Sequence, residues 1–275
     1  MPLPIIKTKI QHLPANTTGK DYVVGDVHGC LESLLLALKA LSFNTATDRL
    51  ISVGDLIDRG PDSKQCAELI YAPWFYAVRG NHEQLMIDAL LRKDQNAMVT
   101  WVRNGGQWHY SEDQPTMISL AKDLNTLPLV ITVGEGSNRY NVVHAELMHA
   151  YSNGVYIPLT DAMIDSWVFN RGEEHDMIWG RIMATGAHVS EWVRSPVHDE
   201  TMSMTFVGHT PLREPVVIQR QMYIDTGAVF HHLNTNKSEH NRLSIACPTT
   251  QTLHIYSLLW RSITSIPFDE VEHTT

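Results

Sequence analysis

The 275 residues are 43% hydrophobic and 19% charged, enough apolar matter for a packed core, which excludes wholesale disorder. The 30 acidic and 21 basic side chains give a net charge of −9 with no basic block, which argues against non-specific nucleic-acid binding and against a polybasic membrane anchor. Cys30, Cys66 and Cys247 form no CxxC pair, and no apolar run approaches the ~18 residues of a membrane span, so a zinc ribbon, a disulfide scaffold and a transmembrane segment are excluded and a reducing, cytoplasmic setting is expected.

In chain order, the apolar run Tyr22-Val23-Val24 ends in Gly25-Asp26-Val27-His28-Gly29. A Leu- and Ala-rich helical pattern follows over residues 31–41. Leu50-Ile51-Ser52-Val53 then ends in Gly54-Asp55, and a second helix is expected after Pro61 with Asp62 as its cap. Phe75-Tyr76-Ala77-Val78 ends in Arg79-Gly80-Asn81-His82-Glu83, and a third helical run covers residues 84–91. Strand, polar loop and helix recur three times, which predicts parallel βαβ units whose loops converge at the carboxyl ends of the strands.

Further on, Asn104-Gly105-Gly106 signals a turn between Trp101 and Trp108. Residues 129–133 and 140–143 read as a hairpin whose second strand ends at His144. Residues 145–177 carry no assignable pattern. Met204-Thr205-Phe206-Val207 reads as a strand ending in Gly208-His209, and residues 222–225 and 253–256 as further, antiparallel strands. The stretch 231–252 reads as an exposed loop, and His12, His231 and His232 as surface residues. No repeat or linker divides the chain, so one domain over residues 1–275 is expected.

The polar residues at strand ends are Asp26, His28, Asp55, Asp58, Arg59, Asn81, His82, His144 and His209. Carboxylates, an amide and imidazoles without thiolate form a mixed nitrogen and oxygen set that suits Mn, Fe or Zn rather than Ca. Asp26 and His28 stand two apart, so on extended backbone they face one way. Two metals sharing a bridging carboxylate would use the whole set. Singly, each residue is an ordinary turn aspartate or a hydrogen-bonded core histidine. Together, GDxHG, GDxxDRG and GNHE, each after an apolar run, do not arise by coincidence.

Gly25-Asp-Val-His-Gly29, Gly54-Asp-Leu-Ile-Asp-Arg-Gly60 and Gly80-Asn-His-Glu83 resemble the signatures of the metallophosphoesterases, and within them the phosphoprotein phosphatase family of bacterial and bacteriophage lambda type. Asn104-Gly-Gly106, Ile178-Trp-Gly-Arg181, Gly208-His-Thr-Pro211 and the stretch 222–230 fall in the matching order, so the resemblance runs over about residues 22–230, with 231–275 divergent. It implies an α/β calcineurin-like fold, a central β-sandwich flanked by helices. It implies two divalent transition-metal ions, Mn²⁺ foremost with Fe or Zn as alternatives. Asp26 and His28 would bind one, Asp55 both, and Asn81, His144 and His209 the second. His82 would be the general acid, oriented by Asp58, with Arg59 and Arg181 gripping phosphate oxygens. Arg171 and Arg194 are the alternatives to Arg181.

The implied activity is hydrolysis of phosphoserine and phosphothreonine, with phosphotyrosine as a further substrate, by direct attack of a metal-bridging hydroxide. Neutral imidazole and amide ligands leave the core net positive, and the arginines add to it, so the site suits a phosphate dianion despite the acidic chain. Cys30, at a helix start, reads as a buried structural thiol rather than a nucleophile. The rival enzyme is a diadenosine-tetraphosphate hydrolase, against which Asp58, Glu83 and Gly208-His-Thr-Pro211 speak. The other rival, a non-catalytic phosphopeptide-binding scaffold, leaves a complete acid and ligand set unexplained. The implied partners are phosphorylated proteins or peptides, with no nucleic acid and no membrane.

Overall fold

A computed structural model describes residues 9–148, 150–152, 155–185, 197–233 and 240–274. Strand β1 (Ile10–Leu13) precedes three βα units: β2 (Asp21–Val24) with α1 (Leu31–Ala40), β3 (Arg49–Ser52) with α2 (Ser63–Glu68), and β4 (Phe75–Ala77) with α3 (Asn81–Leu91). Helices α4 (Gln95–Arg103) and α5 (Gln114–Leu124) lead to the hairpin β5 (Val130–Val133) and β6 (Tyr140–Val143). Next come β7 (Ala150–Ser152), β8 (Val155–Ile157), α6 (Asp161–Asp165), α7 (Arg171–Trp179) and α8 (Ile182–Thr185). The remainder is β9 (Thr205–Val207), β10 (Val216–Ile218), β11 (Gln221–Tyr223), α9 (Phe230–Leu233), β12 (Arg242–Cys247), β13 (Thr252–Ser257), β14 (Ser262–Pro267) and β15 (Glu272–Thr274).

Two sheets face each other. One has the order β14-β13-β12-β2-β3-β4, the other β1-β5-β6-β9-β11-β10-β15. Alternation along the strands explains the layering. Val23, Ile51, Ile131, Val142, Phe206, Met222 and Ala246 point between the sheets into one core. Their neighbours Tyr22, Val24, Leu50 and Ile245 point outward, where Leu34, Leu38 and Met86 of α1 and α3 cover them. Val130, Val143, Val207 and Tyr223 point out of the other sheet against Ile164, Met177, Ile178 and Met183. Helix, sheet, sheet and helix thus stack as layers, the sandwich that the resemblance implies.

The βαβ reading holds: β2, β3 and β4 are parallel neighbours. Beyond β6 the pairing is mixed. β11 is antiparallel to β10 but parallel to β9, so the expectation of antiparallel pairing there is half right. Asp62 occupies the cap position of α2 without a side-chain capping bond. The expected loop over residues 231–252 needs correction. Among its described residues, His231 is buried in α9, and β12 runs antiparallel beside β2 with five of its six residues buried. The C-terminal stretch therefore completes the sheet that carries the three βα loops.

Candidate active site

The three βα loops meet at the carboxyl ends of β2, β3 and β4, as parallel topology dictates. Their backbone is unusual. His28, Asp55, Asp58 and Arg59 all have positive φ, between 43° and 76°, a region costly for residues with a Cβ. The loops brace one another: the His28 N–H donates to the Asp55 carbonyl at 2.8 Å and the Gly29 N–H to the Leu56 carbonyl at 2.8 Å. Gly54, with φ at 96°, backs onto Gly80, where a Cβ would come within 2.6 Å of the Gly80 nitrogen. Glu83 binds the second and third loops together, accepting from the N–H groups of Asp55, Leu56 and Gly80, each at 2.9 Å. Helix α3 begins at Asn81, earlier than the expected residue 84, which sets Asn81 and His82 in its first turn.

Asp55 lies at the centre. Its carboxylate is 3.4 Å from His28 Nε2, 3.4 Å from His144 Nε2 and 3.9 Å from His82 Nε2. Ligand atoms of His28, Asp55 and His82 lie within 4.8 Å of one another, and so do those of Asp55, His144 and His209. Asp55 belongs to both groups. Asp26 approaches His28 Nε2 at 3.9 Å and accepts the His209 N–H at 3.0 Å. A Cβ at Gly208 would sit 2.1 Å from Asp26 Oδ1, so only glycine fits there.

The tautomers follow from the second contacts. His28 Nδ1 donates to the Ile57 carbonyl at 2.9 Å and His144 Nδ1 to the Val53 carbonyl at 2.8 Å. Both Nε2 atoms are then lone pairs. His144 Nε2 points at Asn81 Oδ1 (2.9 Å) and His209 Nδ1 (3.1 Å), and His209 Nδ1 points at the same oxygen (2.8 Å). A single proton on His209 satisfies only one of these contacts, so lone pair faces lone pair. His209 Nε2 is buried without a partner. Converging acceptors of this kind are what a cation needs.

Charge supports that reading. Burial, followed by the Asp225 and Asp55 charges, pushes Asp26 well above the usual carboxylate range. Burial works to raise Asp55 too, but the facing imidazoles of His144, His82 and His28 hold it below that range. Burial takes His28 and His144 down, and His209 down to about 2. The imidazoles of His28, His144 and His209, lowered by burial, stand beside Asp55 ready to ligate metal at neutral pH.

His82 has a separate set of partners. Its Nδ1 donates to Asp58 Oδ2 at 2.6 Å. Burial alone would lower its pKa, but the charge of Asp55 and the hydrogen bond that His82 donates to Asp58 raise it. Asp58 is fully buried and also accepts the indole N–H of Trp101 (2.9 Å to Oδ2) and of Trp108 (2.7 Å to Oδ1). The turn signal and the resemblance at Asn104-Gly-Gly106 give no hint of this role for Trp101 and Trp108. Arg59 donates to His28 Nε2 at 2.8 Å and to His82 Nε2 at 2.9 Å. Gly105, with φ at 110°, packs on it: a Cβ there would sit 2.7 Å from Arg59 Cγ.

Asp225 was also missed. It is buried and hydrogen-bonded to Asp26, and burial pushes it up to about 6. Ile224-Asp225-Thr226-Gly227 after an apolar run was the available signal, the same strand-end aspartate as at Asp26 and Asp55. Arg181 is exposed just after α7, and its charge helps lower His144 and His209. Arg171 starts that helix, roughly 12 Å from its last residue, Trp179, at 1.5 Å per residue. Arg194 lies outside the described residues. Cys30 is buried, and burial pushes its thiol up to about 12.

Residues 22–213 match the family model described as calcineurin-like phosphoesterase. The chain belongs to the calcineurin-like phosphoesterase family. Phosphoester hydrolysis at a dinuclear metal centre is the chemistry of that family. The chain is 31% identical over 227 residues to serine/threonine-protein phosphatase 1 of Salmonella typhimurium, covering 80% of this chain and 92% of that one. It is 36% identical over 109 residues to a symmetrical bis(5'-nucleosyl)-tetraphosphatase of Pseudomonas putida, covering 33% and 38%. In fold it matches a protein serine/threonine phosphatase from Saccharomyces cerevisiae with a TM-score of 0.57 at 16% identity, over 96% of this chain and 85% of that one. No helix among the described residues of this phosphoesterase is long and apolar enough to cross a membrane.

Proposed function

We propose that this phosphoesterase is a metal-dependent phosphomonoesterase acting on phosphoserine and phosphothreonine in proteins, with phosphotyrosine as a further substrate. The observation that carries it is the His82–Asp58 pair beside Arg59, set against the converging ligands. A serine or threonine alkoxide leaves poorly and needs a proton, and this pair supplies one.

In this reading Asp26, His28 and Asp55 would hold one metal, and Asp55, Asn81, His144 and His209 the other, with Mn²⁺ foremost. When bound, two divalent cations supply acidified water as nucleophile at neutral pH and positive charge against the phosphoryl oxygens. A metal on His28 Nε2 and the present Arg59 contact exclude each other, because they use one lone pair. With that lone pair taken, the Arg59 guanidinium would be free for phosphoryl oxygens, two of which its planar fork fits. His82 Nε2, released from Arg59, would then be free to carry the proton for the leaving oxygen. Asp58 keeps Nδ1–H in place, and the two indoles keep Asp58 in place. Arg181 is the second phosphate contact, from the turn between α7 and α8.

The span of the likeness supports this substrate class over dinucleotides. The phosphatase relative aligns over 80% of the chain, the tetraphosphatase over 33%. The test is a panel of phosphoserine, phosphothreonine and phosphotyrosine peptides and diadenosine tetraphosphate, on one Mn-loaded preparation. Phosphoserine and phosphothreonine peptides should turn over with the highest kcat/KM. Preference for diadenosine tetraphosphate would overturn the assignment.

A further inference from the structure

Glu146 lies two residues past His144 and is almost completely buried, at 1% exposure. A buried carboxylate is costly unless its oxygens are satisfied. Here Oε2 accepts the Ile182 N–H at 2.9 Å, and Oε1 accepts the Ala184 N–H at 2.9 Å and the Tyr223 hydroxyl at 3.2 Å. The backbone adds to this. The Ala145 N–H donates to the Met177 carbonyl at 2.8 Å and the Glu146 N–H to the Asp176 carbonyl at 3.3 Å. These bonds grip the chain on both sides of Arg181: the last turn of α7 before it, and the start of α8 after it. Gly180 is pressed onto the clamp, since a Cβ there would lie 3.1 Å from Glu146 Cβ and 2.6 Å from the Asp176 carbonyl oxygen.

We propose that Glu146 is the positioning residue for Arg181. Resting on the reading of Arg181 as a phosphate contact, the inference adds what holds that contact in place. One strand end then carries both His144 and the clamp, so the arginine is fixed relative to the ligand cluster. The chemistry demands a carboxylate: both oxygens face donors, and an amide nitrogen in either position would meet an N–H. A side chain that only filled the core would satisfy none of these donors.

The experiment compares wild type, Glu146→Gln, Arg181→Ala and the double variant, all Mn-loaded. It reads the inhibition constant of inorganic phosphate, KM and kcat on p-nitrophenyl phosphate, metal content, and exchange of the Ile182 and Ala184 amides. Glu146→Gln should raise the phosphate inhibition constant and KM about tenfold, since a small misplacement of a positioning group is costly. Metal content should be unchanged, and the two amides should exchange faster. In the Arg181→Ala background the second change should add less than about twofold, because the two act as one unit. Equal factors in both backgrounds, or wild-type phosphate inhibition in Glu146→Gln, overturn the clamp. A merely structural role predicts a lower melting temperature and kcat with phosphate affinity intact. If Glu146→Gln does not fold, Tyr223→Phe removes one of the accepted bonds and should shift phosphate affinity the same way, roughly two- to threefold; no shift there overturns the clamp too. An inert Arg181→Ala instead contradicts the phosphate assignment of that arginine, whereas an impaired Arg181→Ala beside an inert Glu146→Gln contradicts the clamp.

Discussion

Between β2 and α3 the chain delivers Asp26, His28, Asp55, Asp58, Arg59, Asn81 and His82 from three consecutive strand-to-helix loops. Beyond β6 it delivers His144, Arg181 and His209 one at a time, from elements far apart in sequence. In the first region geometry is local. Positive φ at His28, Asp55, Asp58 and Arg59, with glycines beside them, sets the backbone within each motif, and neighbouring loops brace one another; of the second region's residues only His209, after Gly208, shares this conformation. In the second region geometry is tertiary. His144 is aimed by the Val53 carbonyl, the His209 backbone by Asp26, and Arg181 by the segment that Glu146 clasps. A motif can be read where the loop itself makes the geometry, and a single residue can be read only through its partners.

Changes in the first region should therefore hurt most. Asp55→Asn weakens both metal sites through one residue. Loss of an outer-shell partner already costs ~10–100-fold, so this ligand should cost at least about a hundredfold in turnover, with lower metal content by elemental analysis. Turnover near wild type at full occupancy would remove Asp55 from the centre of the site.

His82→Asn comes next. It should slow a phosphoserine peptide by ~10²–10⁴-fold, the typical worth of a general acid. p-Nitrophenyl phosphate should lose much less, because a phenolate leaves without a proton. Metal content should not change. Equal proportional losses on both substrates at full occupancy would take the acid role from His82.

Trp108→Phe tests whether that role extends outward. It deletes the 2.7 Å bond to Asp58 and leaves the Trp101 bonds. A hydrogen bond to a charged group is worth ~1.5–3 kcal/mol, so turnover on the peptide should fall roughly tenfold, with the same leaving-group dependence as His82→Asn but weaker. A loss without that dependence would make the indole a packing residue.

The smallest effect on turnover belongs to Ile245→Ala in β12. Ile245 is fully buried. Truncation should cost about 2–5 kcal/mol of stability. Denaturant unfolding should show that loss while kcat per folded molecule stays close to wild type. Unchanged stability would return this stretch to the exposed loop first expected.

The three βα units, the hairpin and the convergence of the first region's polar residues were legible because apolar runs and glycine punctuation coincide with real strand ends. β12 was not. Its inward face offers Ser244 and Ala246, small residues without the branched signature of a strand, and it follows the polar stretch around Asn241. Its place is set by pairing with β2, some two hundred residues earlier, a partner that no local pattern reveals. The two tryptophans escaped for a related reason. Their indoles meet Asp58 across 43 and 50 residues of sequence, whereas the intervening glycines announce only a turn. Asp225 carried a strand-end signal but no histidine beside it, so it did not stand out from ordinary turn aspartates.

Metal dependence, with the converging acceptors around Asp55 holding the ions, is what the proposed hydrolysis rests on. It is tested most directly by stripping the protein with chelator, then following phosphoserine-peptide turnover as Mn²⁺ is restored, with bound metal counted by elemental analysis. Turnover should be near zero in the stripped protein and should rise to a maximum as occupancy reaches two ions per chain. Undiminished turnover in a preparation verified to be free of metal would contradict the account.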